Sequence, residues 1–593
     1  MRCLIDLRHW LVNNSSDMYK LAILFFALIT PLAPIKMIGQ LTIDTANALK
    51  LNSLGRWSRD SVTYRSHLSG TDAAIVSASA ADNLEILQPL DQGASGESER
   101  YSTIAAIKAL EPLHHDRAYL AFSGRKGEFV FFNTDLSAEV SLDTAQGIFI
   151  APDGDETGAN GAWVRQYDND VKLEWFGAVG DNINDDQPAI AIAAAVLNAK
   201  GGGTIRGEAG RTYRLANQIN LHGMANLVFE GFGATLFRYT AGSAASSFNI
   251  QNSKNITIRG WKIDSSYNGF ASGSTGSNSN IFLQTAAGNP NDRIVIEDNI
   301  FNNGNHSHIT VGQANVDSVL LPGKFGHQNI WVRRNTGSNA GTFTFIYKAT
   351  RNVWVLDNVG ENYSAAAFAL DTSAAGTDSD TNYYTIKNVW IERNKIRNIV
   401  TVNRFAGRGI VLKGGVHNIN VGSNIIDHIE SVSNVETYGI IVTEDQHTIS
   451  PQTGAGINIY GNSIKNVFSS ASGATAGWAG SVAKGYDDVR ITGNTFDTAE
   501  RGFRASNSSS IEFRRNRFVS LSTAGEAPIQ FICEARPSNK IKTVSDNTFI
   551  KAVGLTDTAI FVPASCSNVH IGINRFFGFT TKVNMAIGST HQS

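Results

Sequence analysis

Lys348, Asp371 and Lys413 each close a short apolar run in the second half of the chain: FTFIYKA, AAFALDT and GRGIVLKGG. If those runs are strands stacked one above another, the three side chains fall on one outer column ~4.8 Å apart, within ion-pair reach. An aspartate so placed can serve as a general acid or base. A lysine beside it can remove a proton alpha to a uronic carboxylate, or neutralise that carboxylate. The same column can equally be an ion-pair ladder in solvent, which contributes little. Glu444 and Asp445, in VTEDQH, follow one run after Lys413. With Asp371 they bring two or more carboxylates to one side, the minimum for glycoside hydrolysis. Asp371, Glu444, Asp445 and Lys413 are therefore the expected catalytic residues.

Around them stand residues expected to hold substrate. Lys348 shares the outer column and Arg408, in GRGIVLK, is set to reach an anionic sugar. His306 and His308, in NGNHSHI, alternate so as to share one face; they can bind a ligand or be solvated strand-edge residues. Glu534, in FICEA, extends the column several runs later, and Tyr384 is one of several loop aromatics (Tyr267, Phe270, Tyr363, Tyr383) able to stack on a sugar. No third ligand accompanies the histidines, and the three cysteines, Cys3, Cys533 and Cys566, have no zinc spacing and are too few for a disulfide framework. Neither a metal nor a cofactor is expected. A second acidic group, Asp181, Asp185 and Asp186 in EWFGAVGDNINDDQPAI, precedes an apolar helix signal and reads as turn formation and helix capping.

The elements that position these residues are read from a recurring pattern of strand, asparagine and apolar residue. It appears as RIVIEDNIF, NIWVRRNTG, NVWVLDNVG, NVWIERNKI, NINVGSNII, INIYGNSI, VRITGNTF, IEFRRNRF, TVSDNTF and VHIGINRFF. The marker asparagines are 299, 335, 358, 394, 424, 462, 494, 516, 547 and 574, separated by 22 to 38 residues. Strand repeats of this period mean a solenoid or propeller, and the unequal spacing suits a coil that tolerates insertions at its corners. An asparagine tolerates the left-handed conformation of a tight corner, and its amide can bond the equivalent residue one coil away. Between the asparagines lies a second strand. Its inward positions are Ile309/Val311, Phe345/Tyr347, Phe368/Leu370, Ile410/Leu412, Ile440/Val442, Phe531/Cys533 and Ile560/Val562; its outer column is Gly312, Lys348, Asp371, Lys413, Thr443, Glu534 and Pro563. An all-β chain folded as a right-handed parallel β-helix is the result, with one long core in place of the several domains its 593 residues suggest.

Ahead of the repeats, residues 1–40 read as a signal peptide or hydrophobic leader around LAILFFALITPLAPI, with no stable membrane insertion. Residues 41–100 read as a linker or small adaptor. Residues 101–172 form a small β-rich module of AYLAF, GEFVFF, GIFIAP and GAWVRQY, and 173–593 are the β-helix, opened by a helix over DDQPAIAIAAAVLNAK. A net charge of -2 supplies no field that would attract nucleic acid.

The order WFGAVGD, DD, Ala-rich helix, GGGTI and GRTYRL resembles the opening of the pectate lyase superfamily β-helix, a fold shared by secreted polysaccharide-degrading enzymes and bacteriophage tailspikes. Asn182, Gln187-Pro188 and Glu208-Ala209 depart from the usual pattern in ways the fold tolerates. The NTD and GHG signatures of galacturonases and the YG-x-DPH signature of alginate epimerases are not recognisable, so no family catalytic residue carries over. The resemblance implies an extracellular or virion-associated depolymerase with a polysaccharide partner, assembled as a homotrimer. Hydrolysis is expected ahead of β-elimination, because Asp371, Glu444 and Asp445 supply acid and base. The alternatives are a lyase or epimerase on a uronic polymer, and an adhesin that only holds sugar.

Overall fold

The structure is a computed structural model. It describes residues 50–52, 56–59, 62–65, 76–78, 84–86, 99–239, 246–265, 279–284, 290–312, 326–347, 349–372, 385–401, 407–432, 435–443, 454–470, 477–483, 485–506, 509–519, 527–532, 540–551, 558–585 and 591–592. The chain forms two compact units, 1–97 and 98–593. In the first, Lys50–Asn52, Arg56–Arg59 and Val62–Arg65 make an antiparallel three-stranded sheet, and Val76–Ala78 pairs with Leu84–Ile86. The leader run 21–35 lies outside the described residues. No helix among the described residues is long and apolar enough to cross a membrane.

The second unit begins with a five-stranded sheet to which the four expected runs contribute Arg117–Leu120, Gly127–Phe132, Phe149–Ile150 and Ala162–Arg165. Its own core is Ile107, Ala118, Leu120, Phe129, Ile150 and Trp163. Next comes the expected helix, Gln187–Ala199, with Pro188 in its first turn. Its buried Ala189, Ile190, Ala193, Ala194, Val196 and Leu197 belong to the same core as the first coils and close its end. After the helix the chain must double back against the strand carrying Asn226. Gly202 permits this, at φ +125° and with a Cβ that would meet Asn226 O at 2.4 Å.

The capping carboxylates behave as structure, with one difference from expectation. Asp186 immediately precedes the helix, but its side chain caps nothing there. It turns back to accept from the N–H groups of Val179, Gly180 and Arg214, tying the opening turn to the first coil. Asp185 accepts from Gln187 N and Ala216 N, and Asp181 accepts from Ile183 N and Asn184 N in a local turn.

From Asp170 onward the chain is a right-handed parallel β-helix, its strands gathered into a fifteen-stranded and a twenty-four-stranded parallel sheet. Every marker asparagine from Asn299 to Asn547 is buried at the corner between the sheets. Asn394 shows the repeated wiring. Its Oδ1 accepts from Asn358 N and Nδ2, both at 2.9 Å, while its Nδ2 donates to Val355 O and Asn424 Oδ1, both at 2.9 Å. The amide thus satisfies backbone groups that a corner removes from the ladder. The left-handed residue, however, is the one before each marker: Asp298, Arg334, Asp357, Arg393, Ser423, Gly461, Gly493, Arg515 and Asp546 all have φ between 54° and 65°. The asparagine supplies hydrogen bonds, and its predecessor supplies the bend.

Candidate functional site

The strands after the corner give the outer face its chemistry through an irregular alternation. Phe368, Leu370, Ile410, Leu412, Ile440 and Val442 point into the core as expected. One position before each pair, Ala367, Gly409, Gly439 and Ala479 also face inward, so that two successive residues are internal. At Gly409 a Cβ would meet Gly439 O at 2.3 Å, so that column requires small residues. The doubled inward step sends the residue before it to the outside. Ala366, Tyr438 and Trp478 accordingly join Ala369, Val411 and Ile441 in an apolar cluster separate from the core.

Three outer columns follow from the pairing. The first runs Ala366, Arg408, Tyr438, Trp478, Arg501; the second Phe345, Ala369, Val411, Ile441, Ser481, Arg504; the third Tyr347, Asp371, Lys413, Thr443. Asp371 and Lys413 are therefore neighbours as expected, with Nζ to Oδ2 at 3.4 Å and side chains 19% and 20% exposed. Lys348 does not precede them. The pairing Ile346↔Leu370 puts Ile346 inward, so Phe345 and Tyr347, expected inside, lie outside, and Tyr347 takes the rung next to Asp371. Lys348 itself lies outside the described residues, as do Glu444, Asp445, Glu534, Tyr384, Tyr267, Phe270, Tyr383 and Cys533.

Burial, with the charge of Asp371 added to it, raises the Tyr347 phenol well above its ordinary value, so it is held protonated. Arg408 is partly buried, and its desolvation lowers its pKa, while Tyr438 and Asp371 oppose the shift; its Nε has no hydrogen-bond partner among the described residues. Further along the face, Arg504 donates to Glu436 Oε2 at 3.1 Å and to Tyr438 O–H at 2.8 Å, and Tyr438 donates to Glu436. Burial alone would raise Glu436, but the Tyr438 hydrogen bond and the Arg504 charge hold it below the usual carboxylate range. Trp478 carries both Arg501 and Arg504 within 5.0 Å of its ring centroid.

The two histidines separate instead of sharing a face. His306 lies against Phe345, with ring centroids 5.1 Å apart, on the outer side. His308 is inside, stacked on Phe301 at 5.5 Å and edge-on to Phe343 and Tyr363. The reason is the register shift between Gly304 and Ser307, which breaks simple alternation ahead of His308. Both are buried, so neither is a solvated edge residue. Tyr363 is likewise a core side chain, its O–H donating to Gly337 O at 2.9 Å. No cluster of three metal-ligating side chains occurs among the described residues. Glu436, Tyr438, Trp478, Arg501 and Arg504 were not foreseen; the signal for Tyr438, Trp478 and Arg501 was a large or charged residue directly before a recurrent Gly or Ala.

No family model matches the chain. A curated relative, the mannuronan C5-epimerase AlgE6 of Azotobacter vinelandii, is 28% identical over 139 residues, covering 19% of this chain and 16% of that protein. The chain thus spans well under a fifth of the relative's length. Among solved structures, the AlgE6 A-module is 15% identical, covers 71% of this chain and 99% of its own, and has a TM-score of 0.43. The tailspike of E. coli bacteriophage HK620 in complex with a pentasaccharide is 14% identical over 74% of this chain and 84% of its own, TM-score 0.41. The Streptococcus pneumoniae surface protein and adhesin PfbA is 15% identical over 61% of this chain and 100% of its own, TM-score 0.43.

Proposed function

We propose that the outer face around Asp371 binds an acidic polysaccharide and acts on a uronate residue within it by removing the proton alpha to the sugar carboxylate. The observation that carries this reading is the third column, where one carboxylate, Asp371, stands between a protonated phenol and an ammonium, with the charge of Arg408, five residues before Lys413 on the same strand, acting on the same place. Hydrolysis requires two carboxyl groups ~5 to 9.5 Å apart. Glu436 precedes the strand two coils later, and Glu500, beside Arg501, is held by the N–H groups of Ser469 and Gly477. Glu436 lies seven residues, roughly 23 Å of chain, from the rung of Asp371. It is also already held by Tyr438 and Arg504.

This reading places removal of the alpha proton ahead of hydrolysis; Glu444 and Asp445, the other carboxylates expected to serve hydrolysis, lie outside the described residues. Lys413 and Arg408 neutralise the uronate carboxylate, which acidifies the adjacent C–H; Asp371 takes that proton, and Tyr347 supplies one. In elimination the C–H electron pair becomes a C=C bond as the glycosidic C–O bond breaks, and the departing oxygen takes the Tyr347 proton. In inversion the pair is held as an enolate until Tyr347 protonates the opposite face. The curated relative's name, a mannuronan C5-epimerase, belongs to this class of chemistry. Cys566 is disulfide-bonded, which suits the oxidising surroundings in which extracellular polymers are met.

The test is incubation of the full chain in heavy water with polymannuronate, polygalacturonate and a neutral glucan. Three signals are followed together: deuterium entry at C5, ultraviolet absorbance of unsaturated ends, and reducing ends. Deuterium entry or unsaturated ends on a uronic polymer support the reading. Reducing ends without either would move the function to hydrolysis, and silence in all three would leave a binding face alone.

A further inference from the structure

The fifteen-stranded sheet carries its own aromatic feature, unrelated to the Asp371 face. Trp331, Trp354 and Trp390 are in register on its outer side in three successive coils. Their rings stack at 4.8 and 5.1 Å with interplanar angles of 6° and 4°. This spacing is the rise of the coil itself, so each indole face is consumed by the next and only ring edges look outward. The ladder's two ends are the exceptions. Above Trp331 the rung is filled by the β-branched Val295. Below Trp390 the rung belongs to Asn420, a side chain far smaller than an indole, and no ring among the described residues stacks on that side.

We propose that a pyranose ring of a glycan occupies this vacant rung, stacked beneath Trp390, making a second and non-catalytic sugar site on the sheet that does not bear Asp371. The surroundings suit a sugar. A pyranose offers an apolar face of C–H bonds to the indole and a rim of hydroxyls that needs donors and acceptors together. Asn420 and Asn458 form a polar floor, with Asn458 Nδ2 donating to Asn420 Oδ1 at 3.1 Å, and Asn420 Nδ2 makes no hydrogen bond among the described residues. On one side Lys387 and His417 are in register with each other; burial, then the charge of Lys387, lowers the His417 pKa, so its imidazole stays a neutral donor and acceptor. On the other side stand Glu392 and Tyr460, the phenol donating to Glu392 Oε1 at 2.6 Å across two coils. Gly422 permits that reach, since a Cβ there would meet the Tyr460 ring at 2.3 Å. One wall is cationic and the other pairs Glu392 with Arg393 at 3.2 Å as well as with Tyr460, an arrangement matched to hydroxyls rather than to a single formal charge.

Asn420→Trp extends the ladder by one rung and fills the site without opening a cavity. The experiment titrates the full chain, carrying Arg408→Ala to weaken the other face, with cellohexaose and with a mannuronate hexamer. Tryptophan emission and titration calorimetry are read together. Adding Asn420→Trp or Trp390→Ala is expected to weaken binding of at least one hexamer by about tenfold or more, a loss of ~1.4 kcal/mol. The Asn420→Trp protein should keep its melting temperature. Binding within twofold in both variants overturns the proposal, as does the absence of any emission change with either hexamer at millimolar concentration. Preferential binding of adenosine over both hexamers would also overturn it, by assigning the rung to a planar base. Failure here leaves the reading of the Asp371 face untouched, and the reverse also holds.

Discussion

The first corner of each coil and the outer face that follows it are built from adjacent stretches of the same repeats, yet they treat repetition in opposite ways. The corner uses asparagine in ten successive coils, nine of them fully enclosed. The third outer column changes at every rung, from Tyr347 to Asp371 to Lys413 to Thr443. A corner poses the same problem each time, because backbone groups leave the ladder and need partners, so one side chain answers it throughout. An outer position has no such duty. Its residues are free to differ, and where a carboxylate, a cation and a phenol come together the coil has no structural need of them. The tryptophan ladder is intermediate, repeating for three coils and then stopping.

The largest expected effect tests the irregular side. Asp371→Asn removes the base without changing shape and should lower turnover of a uronic polymer by ~10² to 10⁴-fold, with the melting temperature unchanged. Because an amide can still accept from Lys413, turnover and melting temperature both unchanged would mean that the column is only an ion-pair ladder. On the regular side, Asn394→Ala should cost on the order of 3 kcal/mol. It strips the acceptor from Asn358 N and Nδ2 in a place water does not reach. Hydrogen exchange should show the loss concentrated in the coils on either side, since a solenoid's contacts are between neighbours. Equal protection along the whole chain would contradict that picture.

Acid separates the two histidines' neighbourhood from the corner asparagines, whose amides do not titrate. His306 is pushed down to about 4, and His308 and His327 to about 3, in each case by burial. An unfolded histidine titrates near ~6.5, so below that pH the unfolded chain binds protons that the folded chain refuses. Stability is complete above pH ~6.5 and declines as the pH falls toward about 4, each histidine contributing up to ~1.4 kcal/mol per pH unit. Denaturant titrations between pH 7 and 4.5 measure this. His306→Phe should flatten the slope measurably.

The regular parts of the molecule were legible because periodicity reports them. The asparagines, the alternating Ile and Val of the coils, and the helix over Gln187–Ala199 all announce themselves by repeat or by cap and composition. What failed was one register. FTFIYKA aligned by its end puts Lys348 on the column, but strand pairing puts Tyr347 there. A register shift between Gly304 and Ser307 likewise split His306 from His308, and the doubled inward step at Ala367, Gly409, Gly439 and Ala479 turned Tyr438 and Trp478 outward. Strict period-two reasoning cannot see a step of this kind, because it depends on how closely neighbouring backbones approach.

The smallest expected effect concerns the carboxylates at the start of the helix, which are rich in acid but belong to the structural side of the comparison. Asp181 is exposed, and its carboxylate is held below its usual pKa by the N–H groups of Asn184 and Ile183, a purely local turn. Asp181→Ala should leave turnover unchanged and shift the melting temperature only slightly. Asp186→Ala should be visibly less stable, since it leaves the buried Gly180 N–H, with those of Val179 and Arg214, without their acceptor. If Asp181→Ala instead abolished turnover while Asp371→Asn did not, the chemistry would lie at the solenoid's end and the irregular column would be ornament. The geometry argues the other way, because every hydrogen bond the Asp181 carboxylate accepts closes within three residues, while Asp371 is brought to Lys413 across forty-two residues of chain by the fold alone.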